Sequence, residues 1–222
     1  MNQNKNQLTT TTGNGIALRN ASRSLKITNK LLAEVDDFEK HWEWWIRLSD
    51  KWRVVLLCGL GIVTPIIIED DYPYTYYDFD TTFENIKNLR IDINDKKHIK
   101  SYLLQLVNLT SIGILEELCP SDLSPLSHLE NLEELYLIGC GVEDIKPIAV
   151  LKKLKILQLG MEVRLYMKDS SVEQYEPCNC INDISPLKNL TNLLKLNLSG
   201  NPISQSEIDW LQTQLPNCEI IF

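Results

Sequence analysis

Histidine, glycine and positive charge are scarce in this 222-residue sequence, with three His, nine Gly and 22 basic residues against 30 acidic ones. His41, His98 and His128 stand apart from one another, so there is no material for a His-rich metal site or a His-centred catalytic group. No glycine-rich stretch is present to cradle a phosphate. The net charge of −8 argues against a nucleic-acid binder that works by phosphate neutralisation. Membrane-spanning runs are also missing. The longest uncharged apolar stretch, Val54 to Ile68, is 15 residues long and interrupted by Gly59, Gly61 and Pro65, whereas a spanning helix needs about 20 residues. It reads instead as a buried helix end, a turn and a strand.

The N-terminal stretch MNQNKNQLTTTTGNG has no apolar segment of the kind a secretory leader carries. It is polar and low in complexity, and a disordered tail over 1–15 is expected. No leader is expected, so the chain is expected in the cytoplasm and its six cysteines as reduced thiols. The pair Cys178-x-Cys180 has no second pair to complete a zinc site, so no metal is assigned. The Gly-x-Ser-x-Gly, His-Glu-x-x-His, Gly-x-x-x-x-Gly-Lys and dinucleotide fingerprints are absent. No catalytic residue and no cofactor is assigned, and the chain is not expected to be an enzyme.

What the sequence does have is a repeat. Leu129, Leu132, Leu135, Leu137, Cys140, Val142, Ile145, Pro147 and Ile148 set a pattern. It recurs at Leu151, Leu154, Leu157, Leu159, Ile184, Pro186 and Leu187, and again at Leu190, Leu193, Leu196, Leu198, Asn201 and Ile203. Earlier copies run through Leu106, Leu109, Ile112, Ile114, Leu123, Pro125 and Leu126, and through Phe83, Ile86, Leu89, Ile91, Asn94, Ile99 and Tyr102. Starts at 83, 106, 129, 151 and 190 are 23, 23, 22 and 39 residues apart, the last being 22 with an insertion of 17. Leu-x-x-Leu-x-Leu places its last two leucines on the inward side of a short strand. Asn94, Cys140 and Asn201 fall at the turn, where a polar side chain can satisfy backbone groups of the neighbouring coil. The Ile/Leu-x-Pro-Leu segment returns the chain, with proline ending regular hydrogen bonding. One unit cannot bury its leucines alone, so a stack with capped ends is expected.

This pattern resembles bacterial leucine-rich repeats of the internalin type. The shared wording is Glu143-Asp144-Ile145-Lys146-Pro147-Ile148, Asn182-Asp183-Ile184-Ser185-Pro186-Leu187 and Ser121-Asp122-Leu123-Ser124-Pro125-Leu126. The resemblance covers about residues 83 to 222. It implies an α/β leucine-rich-repeat solenoid of about five repeats, with a short curved parallel sheet. No secretion signal or wall anchor like those of internalin-type surface proteins is expected, so their role is not carried over.

Around the repeats, residues 16–68 are expected to form a helical N-terminal cap. It comprises an amphipathic helix over 16–35, a short helix over 41–48, and a third capped by Ser49 that runs to about Cys58. Trp42, Trp44, Trp45 and Trp52 lie in this stretch and are expected to bury area against the first repeat. Residues 69–82 are expected as an acidic, Tyr-rich connecting loop. An insertion over about 160–181 is a candidate partner contact. A C-terminal cap is expected from about 204, with a helix through Ile208, Leu211 and Leu215 ended by Pro216 and a last edge strand closing the core at Phe222.

Strand parity places a set of side chains on the outer, concave face of the sheet: Arg90, Leu115, Glu134, Tyr136, Ile138, Ile156, Gln158, Lys195 and Asn197. An apolar centre with a polar rim fits a protein interface, with Tyr136 as its anchor. The expected function is therefore binding of a protein partner, with no nucleic acid and no membrane involved. The alternative is a regulatory or immunity protein that neutralises a basic toxin or enzyme.

Overall fold

A computed structural model describes residues 37–63, 67–69, 75–77, 91–115, 119–160 and 179–222, with backbone alone at 67–69, 75–77 and 115. The expected tail over 1–15, the helix over 16–35, the strand of the first unit around Leu89 and most of the insertion lie outside the described residues. The chain divides into two compact units, Met1–Glu43 and Trp44–Phe222.

Residues 37–47 are helical (α1), and the second unit takes up the chain from Trp44. Ser49 caps the next helix, α2 (Asp50–Gly59), by accepting the Trp52 amide at 3.3 Å. Trp44, Trp45 and Trp52 are buried. The Trp45 indole donates to the Ile93 carbonyl at 2.8 Å, and that of Trp52 donates to the Asp122 carbonyl at 2.7 Å. Trp44 stacks on His128 with ring centroids 5.1 Å apart. Arg53 is buried but fully engaged. It donates to the carbonyls of Trp45 and Ile46, to Asp50 and to the Asn94 side chain. Four acceptors replace the water that a buried guanidinium gives up.

After a turn at Gly61 (φ +68°), β1 (Ile67–Glu69) pairs antiparallel with β2 (Thr75–Tyr77). The 69–82 segment is thus not a plain loop, because its Tyr-rich stretch completes a hairpin.

The rest is a leucine-rich-repeat solenoid. Strands β3 (Ser111–Leu115), β4 (Glu134–Ile138), β5 (Ile156–Gln158), β6 (Lys195–Asn197) and β7 (Glu219–Ile221) form one parallel sheet in sequence order. Their pairing keeps equivalent residues side by side, so that Ile112, Leu135, Leu157, Leu196 and Ile220 make one inward row. Ile114 and Leu137 begin a second, continued by Leu159 and Leu198 just past β5 and β6, and all four are buried.

The return segments show what the spacing of apolar residues decides. In the first unit Ile99, Leu103 and Leu106 recur at four and three, and the segment is an α-helix, α3 (Lys96–Leu106), capped by Asp95. In later units the period is three throughout: Leu123, Leu126, Leu129 and Leu132; Ile145, Ile148, Leu151 and Leu154; Ile184, Leu187, Leu190 and Leu193. A 3-10 helix has three residues per turn and so keeps such a row on one face. The amide of each member after the first bonds the carbonyl three residues back, at 2.9–3.1 Å. The prolines therefore lie inside regular hydrogen bonding rather than ending it. Pro125, Pro147 and Pro186 occupy the first turn of 3-10 helices over Ser124–His128, Lys146–Val150 and Ser185–Asn189, where no N–H is needed. The preceding aspartates prepare each turn. Asp122, Asp144 and Asp183 accept the amides of Ser124, Lys146 and Ser185 at 2.8, 2.9 and 2.9 Å.

At the opposite corner of three units a side chain, of Cys140, Asn179 or Asn201, binds carbonyls at or near the ends of strands. The Cys140 thiol meets the Ile114 carbonyl at 3.3 Å. The Asn201 carboxamide donates to the carbonyls of Leu159 and Leu198 and accepts the Ile181 amide. In the interrupted unit this place belongs to Asn179, which is 1% exposed. It donates to the carbonyls of Leu137 and Leu159 and accepts the Val142 amide, at 3.0, 2.6 and 3.0 Å. The corner residue follows the second strand leucine by three in other units, so adding 17 residues after Leu159 leads to Asn179. Asn94 has no earlier described coil to bind and accepts from Arg53 instead.

The chain closes with α4 (Gln205–Gln214), whose capping box joins Ser204 and Glu207, and with β7 alongside β6. Replacing Asn179 by Ala strands the Leu137 carbonyl and the Val142 amide and leaves the Leu159 carbonyl to Asn201 alone. We expect a loss of about 2–4 kcal/mol in urea-induced unfolding, against about 1–2 kcal/mol for the more exposed Asn201→Ala. Equal small losses would mean that Asn179 does not secure the base of the insertion.

Candidate functional site

The strands place two outward rows across the sheet. One runs Ser111, Glu134, Ile156, Lys195 and Glu219, the other Gly113, Tyr136, Gln158, Asn197 and Ile221, with Leu115 beside Ile138 at the end of β3 and β4. Glu134, Tyr136, Ile138, Ile156 and Gln158 are half-buried, and Lys195 is exposed. These residues therefore share one face. Leu115 is described by backbone alone, and Arg90 lies outside the described residues.

Asn197 is the exception. Parity puts it in an outward row, yet only 4% of it is exposed. Its carboxamide oxygen accepts the Ser199 amide at 2.9 Å, and the chain leaving β5 crosses it at Gly160. A Cβ on Gly160 would stand 2.7 Å from that oxygen and nearer still to the Ser199 nitrogen, closer than atoms can approach. Asn197 is thus a structural residue under the base of the insertion and drops out of the proposed contact set. Gln158 is drawn to the same place, donating to the Gly160 carbonyl at 2.9 Å.

The centre of the face is organised by one carboxylate. Glu134 accepts the hydroxyls of Ser111 and Tyr136, each at 3.2 Å and both on Oε2. Across from Tyr136 lies Gly113, whose missing side chain leaves that flank of the ring open; a Cβ there would sit 4.0 Å from the Tyr136 Cβ. Tyr136 ionises less readily than a free tyrosine, first because of desolvation, then because its hydroxyl bonds Glu134 and faces its charge. Just before these strands a separate pair, Lys155 and Glu133 at 2.6 Å, is closed on itself.

Among the described residues there is no group of three or more His, Cys, Asp or Glu that could hold a metal ion, and no helix is long and apolar enough to cross a membrane. Cys180 is exposed, whereas burial pushes the Cys58 and Cys218 thiols up to about 11, Cys218 with help from Glu219.

No family model matches the chain, and no curated protein matches it. Among solved structures it is similar to an internalin of Listeria monocytogenes, at 26% identity over 63% of this chain and 34% of that one, with a TM-score of 0.42. A leucine-rich-repeat protein of Leptospira interrogans is 29% identical over 55% of this chain and 27% of its own, with a TM-score of 0.39. An internalin C2 of Listeria monocytogenes is 29% identical over 53% and 44%, with a TM-score of 0.36. The chain spans less than half the length of each of these structures.

Two outcomes follow from the titrations. Glu134→Gln should lower the Tyr136 pKa toward, but not to, its ordinary value, because the charge goes and the desolvation stays; ring-carbon NMR titration of labelled tyrosine reads this. At pH 8, where a thiol of pKa 11 is only about a thousandth thiolate, iodoacetamide should label Cys180 and spare Cys58 and Cys218. Labelling of all three at one rate would contradict the burial.

Proposed function

We propose that this solenoid is a binding module whose sheet face receives a protein partner, with Tyr136, Ile138 and Ile156 at the centre of the contact. One observation carries this reading: the register sets an aromatic and two aliphatic side chains together on a face that the fold leaves half-open. An apolar core rimmed by charges, here Glu134 and Lys195, is the usual anatomy of such a contact. Tyrosine offers large area with little side-chain entropy to lose, which suits it as an anchor. In the same reading the helices from Trp44 to Gly59 close the N-terminal end of the stack. Gly59 comes close to Ile112 of β3, and the α2 indole of Trp52 is bonded to Asp122.

A photo-crosslinking residue installed in turn at Tyr136, Ile156 and Val150 tests the assignment in the native host. Val150 is exposed on a return segment and serves as the control. Adducts to one protein from positions 136 and 156, absent from 150, are expected. Adducts from 150 alone would place the contact on the other side of the repeats.

A further inference from the structure

We propose that Glu134 and Lys195 read a partner segment that carries a basic and an acidic side chain on either side of an apolar residue. The proposal rests on the sheet-face reading above and adds the chemistry of the partner.

Both hydroxyls that hold Glu134 go to Oε2. A carboxylate can accept about four hydrogen bonds over its two oxygens, so Oε1 is left without a partner among the described residues while Oε2 is pinned. The group is therefore oriented in advance and still has an acceptor to offer. It takes no part in an ion pair among the described residues, and neither does Lys195. The two share one row with Ile156 between them, two strand spacings apart, which is about 9–10 Å of backbone.

A partner that covers Tyr136, Ile138 and Ile156 also strips water from Glu134. Two neutral hydroxyls do not compensate for a buried anion, whereas a lysine or arginine does, and a mismatched charge is rejected. The same argument run in the opposite sense asks for a carboxylate over Lys195. Tyr136 presents a ring beside Glu134, a surface on which a cationic stem can lie. In an extended segment side chains alternate between faces, so those over the sheet lie two apart; basic-x-apolar-x-acidic is the simplest pattern that fits, its charges about 13 Å apart along the backbone and within reach of Glu134 and Lys195 through long side chains.

The test uses a displayed library of random 16-residue peptides, selected on the full chain. Peptides directed to the face are those whose binding is lost in Tyr136→Glu plus Ile138→Glu. These should carry a basic and an acidic residue. For synthetic copies, Glu134→Gln should weaken binding and Glu134→Lys should weaken it about tenfold or more, with affinity restored when the peptide's basic residue becomes glutamate. Lys195→Glu should be rescued by the opposite exchange. Unchanged urea midpoints separate these effects from misfolding. Face-directed peptides that lack a basic residue, or that ignore Glu134→Gln, overturn this inference and leave the sheet-face reading standing. Recovery only of peptides indifferent to the Tyr136 and Ile138 changes, or of none, overturns both. A dimer in sedimentation that Tyr136→Glu dissolves identifies the occupant as a second copy of the chain and also overturns it.

Discussion

Each coil of this solenoid leaves backbone groups at its corners that a corner side chain, of the next coil or its own, must satisfy. The strand ladders pair the strands, and the carbonyls near each strand's end, at Ile114, Leu137, Leu159 and Leu198, take donors from corner side chains. Cys140, Asn179 and Asn201 supply them. The two asparagines also accept an amide from the unit before, so that each stitches two coils. Buried polar groups without partners are costly, which makes this ladder as binding a constraint as the leucine rows beside it. It also explains how the chain accommodates 17 extra residues in one unit. The insertion leaves at Gly160, a position that admits no side chain, and comes back at Asn179, which restores the ladder before the next return segment.

The sheet face inherits its geometry from that stack. Parallel, in-register pairing lines up residues far apart in sequence, and the resulting rows decide which side chains meet. Ser111 and Tyr136 converge on Glu134, while Lys155 and Glu133, one position earlier, neutralise each other. The insertion enters the same arithmetic by covering Asn197 and holding Gln158 through its own backbone. The half-buried centre of the face therefore lies on β4 and β5, with exposed Ser111, Gly113, Lys195 and Glu219 to either side.

Much of this was legible from residue spacing. Strand positions, inward leucines, the Ser49 cap and the C-terminal helix follow from periodicity and local capping chemistry, and these act over a few residues. The type of return helix was also written in the sequence, as a period of three in the later units and of four and three in the first. Treating the prolines as terminators hides it, because a proline in a first turn interrupts nothing. Asn179 was equally available, since the 17-residue insertion carries the corner position from just past Leu159 to that asparagine.

Other features depend on contacts between residues remote in sequence, which no local rule supplies. The bond from Arg53 to Asn94, 41 residues on, is one. The position of Asn197 under the crossing at Gly160 is another. The sequence by itself determined the repeat, its period and the inward rows, because side-chain alternation and helical period are local properties. Only the tertiary structure decided which outward residues remain open and which charge stands unpaired among them, because both depend on what the neighbouring coil places alongside.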